Sequence, residues 1–163
     1  MNLFGKPKPP KESVYEGLRM QILQGSREKL GISAPASPSQ TWGVVMDWGL
    51  ENGSATVVAL SDGTASVYLT SGGGSIGGGK SHEAIHAGAI NAVSIAAKFR
   101  PKMRPAENYP LLALNGVTFY VLTDTGVFSE SASAGDLSSD QHAMSPLGDA
   151  MQEIITQYRK IEQ

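Results

Sequence analysis

The chain has 163 residues, 40% of them apolar and 17% charged, with a formal net charge of −2. That length suits one domain whose core needs no covalent staples, and the composition excludes a disordered chain. Cysteine is absent, which excludes disulfides, thiolate metal sites and a cysteine nucleophile.

The tail carries basic residues at Lys6, Lys8 and Lys11 and the net charge is slightly negative, so nucleic acid is not an expected partner. The opening Met1-Asn2-Leu3-Phe4-Gly5 runs straight into Lys-Pro-Lys-Pro-Pro, with no apolar stretch of the signal-peptide kind. No window approaches the roughly 18 apolar residues of a membrane span. The expected compartment is the cytoplasm, with no membrane partner.

Residues 1–10 read as a flexible Pro/Lys tail. A first helix is predicted over residues 12–24, with Val14, Leu18, Gln21 and Ile22 at helical spacing and Gly25 as its C-terminal cap. Residues 33–39 are a Ser/Ala/Pro linker. Strands are predicted over 42–48, 55–60 and 65–70, separated by short turns that include Asp62-Gly63. Connections so short make the three strands an antiparallel meander. Trp42 and Trp48 lie an even spacing apart and are expected to share a sheet face. Asp47, Asp62 and Asp124 are read as residues of strand ends and turns.

A glycine run over residues 71–79 follows, then a helix over 81–99 with Ile85, Ala89, Ala92, Ala96 and Phe99 on one face. Gly88 and the alanines let that helix approach a neighbour closely. A Pro-rich loop precedes a second hairpin, 117–123 and 127–131, and the last helix carries Leu147, Met151, Ile154, Tyr158 and Ile161 on one side. The predicted fold is one α+β domain over residues 11–163. Its sheet is five-stranded and mainly antiparallel, flanked by helices in the order α-β-β-β-α-β-β-α.

Two motifs overlap after the third strand. Gly74, Gly77, Gly78, Gly79, Lys80 and Ser81 complete a GxxxxGK[ST] pattern. Its glycine N–H groups and helix N-terminus suit a phosphate, with Lys80 reaching the phosphates and Ser81 a magnesium ion. An antiparallel meander is the wrong setting, because nucleotide phosphate loops belong to parallel βαβ sheets. His82, Glu83 and His86 form HExxH, in which two imidazoles four apart share a helix face and could hold zinc. A third ligand would have to come from His142 or Glu107. The competing reading is a polar helix start, with Ser81 as N-cap and Glu83 set against the macrodipole. Within the glycine run, Ile76 is expected to plug inward and Lys80 to face solvent.

Trp42-Gly43-Val44-Val45-Met46, Asp62-Gly63-Thr64, Ser66-Val67-Tyr68, the paired glycine triplets, 119–123 and Ser145-Pro146-Leu147 together resemble a family of small uncharacterised bacterial proteins. That family's pattern has a His-Glu after the triplets but no lysine at 80 and no second histidine at 86. The resemblance therefore implies that both catalytic motifs are additions of this chain. In fold the chain also resembles profilin-like and roadblock-like domains, a likeness that does not fix function. The reading favoured is a non-enzymatic binding or assembly module, a homo-oligomer without cofactor. The alternatives are a phosphate-ligand site at the glycine run and a metal-dependent hydrolase using His82 and His86.

Overall fold

A computed structural model describes residues 11–37, 39–79 and 81–162, so the expectations for residues 1–10 and for Lys80 lie outside the described residues. Helix α1 (Lys11–Gln24) leads into the meander β1 (Gly43–Leu50), β2 (Gly53–Leu60) and β3 (Ala65–Leu69). Every pairing in it is antiparallel, and Gly43↔Leu60 through Leu50↔Gly53 leave only Glu51 and Asn52 to turn the first hairpin. Strand β4 (Gly74–Gly78) then adds to β3. After helix α2 (Glu83–Phe99) and a 3-10 turn come β5 (Arg104–Pro105), β6 (Gly116–Thr123) and β7 (Gly126–Ser133). Helices α3 (Ala134–Ser138) and α4 (Ser145–Glu162) complete the described chain.

The sheet is seven-stranded and runs β4-β3-β2-β1-β6-β7-β5. This corrects the expected five strands and the order α-β-β-β-α-β-β-α. Neither additional strand has the side-chain pattern of a strand: β4 is Gly-Ser-Ile-Gly-Gly, with Ile76 its one β-branched residue, and β5 is Arg-Pro. Backbone pairing holds them, and side-chain periodicity could not announce them. Among the described residues, no helix is long and apolar enough to cross a membrane.

Alternation along β1 divides the interior into two layers. Val44 and Met46 face α2 and α4, in a core shared with Val57, Phe119, Ile85 and Leu147. Ala89, Ala92 and Ala96 of α2 are fully buried there, which brings that helix down onto its neighbours. Val45 faces the other way, into a core with Tyr15, Ile22, Trp42, Tyr120 and Leu122 beneath α1. Fully burying a large apolar side chain contributes about 1.5–3 kcal/mol, so both layers stabilise the sheet.

Helix α1 is rotated from its expected face. Val14 is 60% exposed and Gln21 is exposed, whereas Tyr15, Arg19, Ile22 and Leu23 are buried. Arg19 meets Asp47 through Nε at 2.8 Å and Nη2 at 2.6 Å, both on Oδ2. Thr56 Oγ1 donates to Asp47 Oδ1 at 2.6 Å, and Tyr15 Oη is hydrogen-bonded to the same threonine hydroxyl. Asp47 is thus no strand-end residue. It lies within β1, is 2% exposed, and stands opposite Thr56 in the β1–β2 ladder. Burial works against the Arg19 charge, but Asp47 outweighs it and holds the guanidinium above its ordinary range.

Trp42 and Trp48 do not share a face. Trp42 precedes β1 and packs under α1, while Trp48 packs against the core beneath α2 and α4. Because Trp42 stands outside the strand, the period of two does not carry to it.

Candidate functional site: the glycine-rich edge

The described residues of both sequence motifs gather where β4 passes into α2. β4 ends the sheet and is paired only through β3, with Tyr68↔Gly74, Val67↔Ser75 and Ala65↔Gly78. Between the last two pairs β4 has one more residue than β3, a bulge. Gly77 takes the extra turn with φ +69, a left-handed conformation that favours glycine. Its N–H donates to Ser66 Oγ at 3.0 Å.

Tyr158 of α4 anchors the next residue. Its hydroxyl accepts from Gly78 N–H at 2.8 Å and donates to the Ala65 carbonyl at 2.6 Å, replacing ladder bonds that the bulge displaces. A Cβ at Gly78 would collide with that hydroxyl, so glycine is required by close approach. Burial raises the Tyr158 pKa, and the Gly78 N–H bond works in the opposite direction. Tyr158→Phe is expected to cost about 1–3 kcal/mol, since the Gly78 donor and the Ala65 acceptor lose their partner. Urea unfolding measures the loss, and hydrogen exchange at Gly78 should quicken with it. An unchanged midpoint and exchange rate would show the hydroxyl to be dispensable.

A phosphate loop turns its glycine N–H groups toward the ligand. Here those of Gly77 and Gly78 are bonded inward, and Gly74–Gly78 is strand rather than loop. Ser81 is exposed and is not the helix cap. α2 begins at Glu83 with His82 at the cap position, and the His82 side chain makes no capping bond. His82, Glu83 and His86 are all exposed. The His86 ring lies against the turn at Gly63, where an added Cβ would strike it. Among the described residues, no three His, Asp or Glu side chains come close enough to hold a metal ion. His142 Nδ1 accepts from Met144 N–H at 3.0 Å in the turn before α4, and Glu107 is exposed between β5 and β6.

Ile76 reverses its expected direction: it is 67% exposed. Tyr158 is the residue that anchors this edge from within. On the α1 side, Ile76 shares a shallow hollow of about 180 Å³ with Val14, Leu18 and Leu69. On the α4 side, Ser75 Oγ donates to Glu162 Oε1 at 3.2 Å beside the exposed Arg159, around a cavity of about 300 Å³. The opposite edge is built differently. β5 has only two residues, and they are a charge and a proline.

A wider hollow of about 750 Å³ lies between the end of α1 and the β6–β7 turn. The Arg27–Asp124 pair joins these two walls, with Nε 3.0 Å from Oδ1 and 3.2 Å from Oδ2. Asp124, which pattern alone gives to the turn, thus also ties α1's end to the sheet.

No protein family, no curated protein and no solved structure matches this chain. Ser66 and Tyr158, the side chains that hold the edge, carried no functional signal in the sequence. Tyr158 falls on the apolar stripe of α4, where an aromatic residue reads as core filling.

Proposed function

We propose that this protein is a non-enzymatic binding and assembly module whose working surface is the outer edge of β4, where a partner adds a strand. One observation carries the reading: the sheet's two edges are treated in opposite ways. Proteins protect an edge by shortening it, by placing charge and proline there, or by bulging it away. β5 combines shortness, charge and proline, whereas β4 has only its bulge at Gly77: residues 71–79 contain neither charge nor proline and present an exposed Ile76 beside an exposed Val14. Strand addition uses such an edge directly, through main-chain hydrogen bonds. The phosphate-ligand reading of this segment draws less support, because two of its N–H groups already have partners.

A photo-crosslinking amino acid placed at Ile76 in cells that express the protein tests the proposal. A covalent adduct of defined mass is expected from position 76 and none from the same group placed at Arg104. Absence of an adduct at 76, or equal labelling at both edges, would refute it.

A further inference from the structure

We infer that the added strand comes from a second copy of this chain, pairing β4 antiparallel to β4 about a two-fold axis; this rests on β4 being a pairing edge. A foreign peptide takes affinity from main-chain bonds but specificity from pockets for its alternate side chains. β4 offers few such pockets. Gly74, Gly77 and Gly78 have no side chains, and the two hollows that flank the strand, about 180 Å³ beside Ile76 and about 300 Å³ beside Ser75, lie at or below the lower end of the ordinary range of about 300–1,000 Å³ for ligand sites. Such an edge gives a foreign strand little to be selected by.

A second copy needs no pocket, because a two-fold contact sets one patch against itself. On the α1 side it brings together Ile76 and Val14 from each protomer, residues 67% and 60% exposed in the single chain. On the α4 side the same axis sets Arg159 of each protomer toward Glu162 of the other. Both side chains are exposed, and Glu162 already reaches β4 through Ser75. Opposite charges on one rim are self-complementary under this symmetry. The two sheets then continue into one another, each copy covering the β4 edge of its partner. β4 has five residues, so the contact is smaller than a standard interface and the dimer reversible.

Sedimentation equilibrium of the full chain, from about 10 μM to about 1 mM, covers the range expected of an interface below the standard size. The average mass should climb from that of one chain toward that of two. Ile76→Arg should hold the protein at one chain throughout without moving its urea midpoint. Arg159→Glu should weaken association at least tenfold, and adding Glu162→Arg should restore it. Four outcomes would overturn the inference. A wild type that stays at one chain mass while position 76 crosslinks to a different protein defeats self-pairing and leaves the edge reading standing. An adduct from 76 to residues 1–10 of its own chain defeats self-pairing and, because no partner is captured, the assembly reading as well. A dimer that survives Ile76→Arg places the contact elsewhere. Neither dimer nor adduct defeats both readings together.

Discussion

Asp47→Ala is expected to remove about 3–5 kcal/mol of folding stability, because it leaves the Arg19 guanidinium buried without its counter-charge. Arg19 and Asp47 are both 3% exposed as side chains, so water cannot replace the lost partner. The substitution also deprives the Thr56 hydroxyl of its acceptor at the point where Tyr15 is bonded to the same oxygen. Urea unfolding monitored by the helix signal reads the change directly. The paired replacement Arg19→Met with Asp47→Leu should recover most of the loss, since a buried ion pair often contributes no more than apolar residues of like volume. Recovery by the pair identifies an isolated buried charge as the cause. If Asp47→Ala proves nearly neutral, the α1 face is open to water and this account of it fails.

Raising the pH above about 10 should destabilise the protein by up to about 3 kcal/mol through Tyr120 alone. Burial, and then the nearby Asp47 carboxylate, push its pKa from 10.0 up to about 12, with Arg19 working the other way. An unfolded tyrosine ionises near pH 10, while the folded one keeps its proton to about pH 12. Between those values the unfolded state holds fewer protons, so stability falls as pH rises; below about pH 10 it is fully retained. Tyr15, Tyr68 and Tyr158 are shifted upward by burial too and add to the slope. Urea midpoints of the wild type and of Tyr120→Phe, taken at about pH 9, 10, 11 and 12, separate the contributions. A Tyr120→Phe protein with the full wild-type slope would assign the effect to other groups.

The meander and the second hairpin were legible as β-branched and aromatic runs divided by short turns, and helices α2 and α4 because their apolar residues repeat at the helical period. Ile85, Ala89, Ala92 and Ala96 lie on one face of α2 as that period requires, and all are buried. The failures have a common physical origin in groups that periodicity does not count. Arg19 holds an inward position on α1, which an apolar stripe through Val14, Leu18, Gln21 and Ile22 leaves out. Its partner Asp47 lies across the interface in β1, out of reach of any local pattern. In β4 the hydrogen-bonding backbone makes the strand, while its glycines give no alternation to detect. Ile76 was the one apolar side chain there, so it was sent inward. That assumed a loop lying on the sheet, when the segment extends the sheet instead. The histidine and lysine motifs could be read letter by letter. What letters could not supply was the partner of each backbone N–H, and Ser66 and Tyr158 turn out to hold two of them.

The central place of β1 has a consequence for how the chain is made. Its pairing with β2 is local, but its other neighbour is β6, with Met46 opposite Phe119 and Val44 opposite Val121. A ribosome delivers β1 to β4 and all of α2 before β6 has been synthesised. Throughout that interval the middle of the finished sheet is an open edge, bordered by Val44, Val45 and Met46, and neither core is closed. Transiently exposed apolar surface and unpaired strand edges are what make folding intermediates prone to aggregate. The newborn chain is therefore more vulnerable at its future centre than the folded protein is at its rim, and arrival of the β6–β7 hairpin ends that exposure.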